Sequence, residues 1–137
     1  DDTDSHIDTL ARFCPDDTIV YVRCEDQNDE HCDALAAMEK ELRTFCTADG
    51  RPYQLIPLPW PKPCFDTAGQ RLPATYANFL IINGAVLVPT YRDPNDAPVL
   101  ATLQREFPGR RVVGVDSTEL IWGLGAFHCL TQQMPAV

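Results

Sequence analysis

Two stretches of this chain repeat one order of features. A β-rich run leads into an acidic, Asp-containing loop, an amphipathic helix, a Gly-Arg pair and a second β-rich run. The first copy covers about 18–58 and the second about 86–115, with Gly50-Arg51 answering Gly109-Arg110. A strand–helix–strand unit cannot bury its apolar faces alone, so the two copies must stack. They can do so as an ordinary α/β layer or around a pseudo-symmetric axis, and the periodicity leaves both open.

Local patterns fill in the units. Leu10 to Cys14 is a short apolar stretch, and Pro15-Asp16-Asp17 is a turn signal. Thr18 to Cys24, rich in β-branched and aromatic residues, is predicted as a buried strand. Asn28 or Asp29 is placed to cap a helix whose apolar positions are Leu35, Met38, Leu42 and Phe45. Gly50 closes that unit, and Tyr53 to Leu58 is the next strand. Five prolines at 57, 59, 61, 63 and 73 predict a long, rigid connection. Thr75 to Ile82 is expected as a strand, turning at Asn83-Gly84 into Ala85 to Val88. Asp93-Pro94-Asn95-Asp96 opens a second helix, carrying Val99, Leu100, Leu103 and Phe107, which Pro108-Gly109 stops. Arg111 to Val115 is a strand, and Glu119 to Trp122 is expected to begin another.

Composition narrows the function classes. With 137 residues the chain can form one modest domain with a real core. Its formal net charge of -9 argues against a nucleic-acid surface, which needs clustered Lys and Arg. The same charge suits a cationic ligand, although acidic balance more commonly confers solubility. No apolar run is long enough to span a membrane. The six cysteines, at 14, 24, 32, 46, 64 and 129, form neither a compact disulfide framework nor a CxxC zinc pair. They are expected to be mostly reduced, as in the cytoplasm. The first residue is Asp rather than Met, so a longer parent is expected.

Two segments offer chemistry. In His6-Ile7-Asp8, an extended backbone would turn an imidazole and a carboxylate to one face. Histidine moves protons near neutral pH, and a carboxylate grips a planar guanidinium through two parallel hydrogen bonds. On spacing alone, His-x-Asp is common in surface loops. Gly123-Leu-Gly-Ala-Phe-His-Cys129 sets two glycines before a cysteine, which permits crowded backbone beside a ligand. On local sequence alone, Cys129 reads more readily as a buried, inert thiol. On an extended chain His128 would face away from Cys129, leaving His6 as the better partner. Glu30-His31-Cys32 lacks the second ligand pair a zinc site needs, so His31 is expected at the surface. Trp60 and Trp122 are expected in core or loop packing.

In order, these segments resemble one family. Thr3-Asp4-Ser5-His6-Ile7-Asp8 is similar to the Thr-Asp-Gly-His-Ile-Asp segment of agmatine deiminases. Tyr76-Ala-Asn-Phe-Leu-Ile-Ile-Asn-Gly84 and Asp93-Pro94 resemble their strand–turn and pre-helix patterns. Gly125-Ala-Phe-His-Cys-Leu-Thr-Gln-Gln133 is similar to their Gly-Asn-Ile-His-Cys-Ile-Thr-Gln-Gln ending. Bacterial peptidyl-arginine deiminase-like proteins share the family.

The resemblance implies a pentein-type α/β fold, a pseudo-symmetric propeller of ββαβ units, with two to three of its five blades here. Residues 1–137 would then be the C-terminal part of a guanidine deiminase domain, and the short sequence after Cys129 fits a natural C-terminus. Also implied is cytosolic hydrolysis of a guanidinium to a ureido group and ammonia, without metal or organic cofactor. Agmatine is the favoured small cationic substrate, giving N-carbamoylputrescine in putrescine biosynthesis. Cys129 would be the nucleophile, His6 the acid–base group and Asp8 the guanidinium anchor. Asp8, Asp4 and Gly125 are the expected substrate-facing positions. The family departs from this chain at Ser5 and at Leu124, Ala126 and Phe127 in the last loop. Its early half supplies a further Asp, a catalytic Glu and aromatic contacts that are not in this sequence. The N-terminal half of the same polypeptide is thus the expected partner, with a homo-oligomer as another possibility. The rival reading is a non-catalytic fragment or degenerate module that acts by binding or self-assembly.

Overall fold

A computed structural model describes residues 6–135. Its strands are β1 (Ala11–Cys14), β2 (Thr18–Arg23), β3 (Gln54–Pro59), β4 (Cys64–Phe65), β5 (Arg71–Leu72), β6 (Leu80–Ile82), β7 (Ala85–Thr90) and β8 (Arg111–Asp116). Its helices are α1 (Cys32–Leu42), between β2 and β3, and α2 (Asp96–Glu106), between β7 and β8. The result is a mixed α/β fold of small sheets.

The repeat appears as two matching ββαβ units. In the first, β1 pairs antiparallel with β2, and β2 pairs parallel with β3 from Thr18↔Gln54 to Arg23↔Pro59. In the second, β6 pairs antiparallel with β7, and β7 pairs parallel with β8 from Ala85↔Arg111 to Thr90↔Asp116. Each hairpin is forced by its turn. Asp16 and Asp17 take φ of 56° and 54°, a left-handed conformation that Asp tolerates better than most residues. Gly84 takes φ of 78°, which glycine adopts without steric cost.

One apolar core joins the units. Val20 and Leu58 from the first sheet meet Val86 and Val88 from the second, with Val99, Leu103 and Phe107 of the α2 region and Tyr76, Phe79 and Ile121 from the intervening loops. Each fully buried aliphatic or Phe side chain contributes roughly 1.5–3 kcal/mol before entropy is charged against it. Strand β2 is buried on both faces, because Ile19 and Tyr21 pack with Leu42 while Val22 packs with Leu35.

Four expectations need correction. The run Thr75 to Ile82 is a strand only at Leu80–Ile82. Upstream, side chains take the place of a sheet ladder. The Tyr91 hydroxyl accepts from Thr75 N and donates to Thr75 O, and the Arg12 guanidinium donates to the carbonyls of Ala77 and Phe79. Glu119 to Trp122 does not begin a strand. Leu120–Gly123 forms a 3-10 turn that buries Ile121 and leaves Trp122 exposed. Helix α1 starts at Cys32 rather than beside Asn28 or Asp29. Asp29 instead accepts from His31 N in the lead-in turn, and exposed Phe45 lies beyond the helix end. The proline-rich connection is not uniform, since it contains the small antiparallel hairpin β4–β5. Among the described residues, no helix is long and apolar enough to cross a membrane.

Candidate active site

Three segments far apart in sequence converge at one end of the core. The first is the 3-10 turn Ile7–Thr9, closed by Thr9 N and Thr9 Oγ1 donating to His6 O. Leu10 O accepts from Val22 N, which fastens the turn to β2. The second is the loop from Thr75 to Phe79. Its Thr75 hydroxyl donates to Thr9 O at 2.7 Å, tying loop to turn. The third is the turn at 126–131, held by Leu130 N donating to Ala126 O.

Asn78 binds all three segments together. It is fully buried, and every polar atom of its side chain is used. Oδ1 accepts from Ala126 N at 3.0 Å and Cys129 N at 3.3 Å. Nδ2 lies 3.0 Å from Asp8 Oδ2 and 3.1 Å from Cys129 Sγ. A buried amide must find such partners or cost the fold about 1–3 kcal/mol. The sequence reading assigned Asn78 no role. A polar amide within the apolar run Tyr76–Ile82 was the signal that could have found it.

The structure brings His6, Asp8 and Cys129 together, with one imidazole nitrogen, carboxylate oxygen and sulfur all within 4.8 Å of one another. The route differs from the extended His-x-Asp that spacing suggested, because Ile7–Thr9 is a turn. His128 also departs from expectation. The backbone at 127–130 turns rather than running extended, so its Nδ1 reaches Asp8 Oδ2 at 2.5 Å. It thus steadies Asp8 beside Cys129 instead of facing away from the cluster. Gly125 packs against the nucleophile candidate itself, since a Cβ there would lie 2.6 Å from Cys129 Cβ and 3.0 Å from Sγ. Asp4, and with it Asp1 and Asp2, lies outside the described residues.

The electrostatics are opposed within the cluster. Burial alone would raise the Asp8 carboxyl, but hydrogen bonds from His128, Cys129 and Asn78, together with the His128 charge, hold it below its ordinary value. Asp8 is therefore a carboxylate near neutral pH. Cys129 is pushed the other way. Partial burial raises its thiol, Asp8's charge and hydrogen bond raise it further, and the Asn78 hydrogen bond offsets only part. Burial and the Asp8 charge thus favour a protonated Cys129 beside a fixed negative charge. Such a pair attracts a cation, and a cation placed there lowers the cost of forming the thiolate.

Trp60 and His31 lie elsewhere. Their rings stack with centroids 5.6 Å apart, and Arg71 covers the other ring contact of Trp60 at 5.0 Å while pairing with Asp29. His31 is therefore half-buried rather than at the open surface. A cavity of about 430 Å³ lined by Trp60, His31, Arg71 and Thr75 contains none of His6, Asp8 and Cys129.

Comparison with known proteins gives consistent matches. The family model for Porphyromonas-type peptidyl-arginine deiminase matches residues 1–135. The chain is 34% identical over 153 aligned positions to agmatine deiminase of Pseudomonas putida, covering 99% of the chain and 42% of that protein. A Porphyromonas gingivalis structure provisionally assigned as an arginine deiminase is 57% identical, with a TM-score of 0.93 over 98% of this chain and 40% of that one. C. jejuni agmatine deiminase, solved with substrate bound, is 43% identical with a TM-score of 0.84 over 93% of this chain and 36% of that one. The chain spans about two fifths of the length of the curated relatives it matches.

Proposed function

Because the chain belongs to the Porphyromonas-type peptidyl-arginine deiminase family, we propose that its Cys129, Asp8 and His6 form the nucleophilic part of a guanidine deiminase site. The observation that carries this reading is the carboxylate of Asp8 held against Cys129 Sγ, with His6 beside both. A guanidinium carries a delocalised positive charge and paired N–H donors, which match such a carboxylate. Seated on Asp8, its central carbon lies within reach of the sulfur.

The steps follow from the residue types. The cation offsets the Asp8 charge that keeps Cys129 protonated, so the thiolate forms as substrate binds and its proton passes to His6. Sγ attacks the guanidinium carbon and gives a tetrahedral adduct. His6 donates a proton to the departing nitrogen, and ammonia leaves a covalent thiouronium. His6 then takes a proton from water as its oxygen attacks the same carbon, and the C–S bond breaks to release the ureido product. Asn78 and His128 hold Asp8 and Cys129 in register throughout. Asp4 joins Asp8 on the substrate side in this reading, and Gly125 gives the substrate and the sulfur room.

Agmatine is the favoured substrate, with N-carbamoylputrescine as product. Support comes from relatives named agmatine deiminases, including the C. jejuni structure with substrate bound. In the same reading, the two ββαβ units are blades of a five-bladed pentein propeller, and residues 1–137 are the C-terminal part of that domain. The rest of such a chain would supply the contacts that read the substrate's tail.

A non-catalytic module is the second reading. The span of two fifths of the relatives' length favours it for this chain taken alone. Assay of ureido formation from agmatine, free arginine and arginyl peptides by the full-length protein separates the two. Turnover abolished by Cys129→Ala supports the deiminase. Its absence from folded protein with all three substrates would overturn it.

A further inference from the structure

The ligand geometry of the cluster suits a second kind of cation. Zinc in proteins takes thiolate, imidazole and carboxylate donors at about 2.0–2.3 Å, which sets neighbouring donors of a tetrahedron roughly 3.5 Å apart. Cys129 Sγ and Asp8 Oδ2 stand 3.5 Å apart, and a His6 nitrogen lies within 4.8 Å of the other two donors. Three different donor types therefore converge from two ends of the chain, on one open side of the fold. Among the described residues both Cys129 and His6 are exposed, so an ion has access.

Two donors already have the outer partners that metal ligands require. Asp8 Oδ2 accepts from Asn78 and is bonded to His128 Nδ1, which fixes the carboxylate's orientation. The Cys129 sulfur accepts from Asn78 Nδ2, a bond that steadies a thiolate. Only the fold assembles this group, because Asp8 and Cys129 stand 121 residues apart.

We infer that His6, Asp8 and Cys129 form a zinc-binding site that holds the protein in a reversible, inactive state. The inference rests on the deiminase reading only for its consequence. Zinc and a guanidinium both need the Asp8 carboxylate and the Cys129 sulfur, so one excludes the other. Zinc displaces the Cys129 proton on binding and returns the sulfur when a chelator removes it.

Zinc is titrated into the metal-free protein against a chromophoric chelator, and cobalt replaces zinc in a parallel sample. One equivalent of bound zinc and a thiolate-to-cobalt charge-transfer band are expected. Both should vanish in Cys129→Ala and zinc affinity should fall at least tenfold in His6→Gln. Both should persist in a Cys24→Ser/Cys32→Ser double variant, which removes the adjacent pair of thiols beside His31. Equal zinc binding by Cys129→Ala, or no uptake by folded wild-type protein, would overturn the inference. The two proposals fail separately. Zinc uptake at Cys129 without turnover of any guanidine sinks the deiminase alone, whereas turnover that ignores added zinc sinks the zinc site alone.

Discussion

Asn78 and Cys129 are bonded at both ends of the amide: Nδ2 lies 3.1 Å from the cysteine's sulfur, and Oδ1 accepts its backbone N–H at 3.3 Å. The amide therefore sets both where the sulfur sits and how readily it ionises. Asn78→Leu keeps the volume but leaves Ala126 N and Cys129 N without their acceptor. A loss of about 1–3 kcal/mol per orphaned donor is expected in denaturant unfolding. Asn78→Asp keeps an acceptor and adds a negative charge next to Asp8. It should slow alkylation of Cys129, followed by peptide mapping, across pH 7–9; a rate equal to wild type would remove Asn78 from any electrostatic role.

Asp8→Asn should separate binding from thiol reactivity. Partial burial and the Asp8 charge both hold the Cys129 thiol up, and the substitution deletes the second. Without substrate, Cys129 of the variant should be alkylated several-fold faster than wild type at pH 8. Guanidine turnover in the full-length protein should nevertheless disappear, because the cation has lost its anchor. Slower alkylation in the variant would contradict the electrostatic account.

Gly125→Ala tests crowding. Its Cβ would lie 2.6 Å from Cys129 Cβ, a contact that backbone or nucleophile must relieve. A shift of the sulfur by about 1 Å corresponds to roughly a hundredfold loss of turnover. Gly114→Ala is the contrast. Its Cβ meets Leu100 Cδ1 at 2.8 Å, the far end of a flexible side chain, and this cost should fall on stability with turnover kept. Equal activity losses in both would point to general unfolding.

Glu39 predicts one part of the acid response. Hydrogen bonds from Arg23 and Arg43 hold its carboxyl down to about 2. The folded value lies below the ordinary 4.5, so the stabilisation is present above pH 4.5 and is lost as pH falls towards about 2. Urea midpoints of wild type and Glu39→Gln should differ at pH 6 and converge near pH 2. A constant gap would show that the pairing contributes nothing to the acid response. At least one partner, Arg43, is largely exposed, so added salt should narrow the gap at pH 6.

Local signals carried much of the architecture. The two β-rich runs, the helical spacing of Leu35, Met38 and Leu42, and the Asn83-Gly84 turn each act within a few residues, and each has its expected element. The misread segments depend on distant partners instead. Tyr76 to Phe79 looked like a strand because its residues favour one, yet Arg12 and Tyr91 satisfy that stretch of backbone from outside it. Asn78 passed unnoticed because its partners lie 48 to 70 residues away. An extended chain would turn His128 away from Cys129, and Leu130 N donating to Ala126 O rules that chain path out. The nearness of His6 and Asp8 to Cys129 came from family resemblance, since no spacing rule links positions so far apart.

The 121-residue separation of Asp8 and Cys129 also orders events in time. Closing so long a loop is entropically costly and has to await the strands and helices between, so the contact belongs to late folding. Chain synthesis imposes the same sequence, with the sulfur emerging long after the carboxylate that will govern it. Until both ββαβ units have docked, Cys129 is an ordinary thiol without Asp8, Asn78 or His128 around it. Its chemical reactivity is therefore a report on completed folding, readable from one atom.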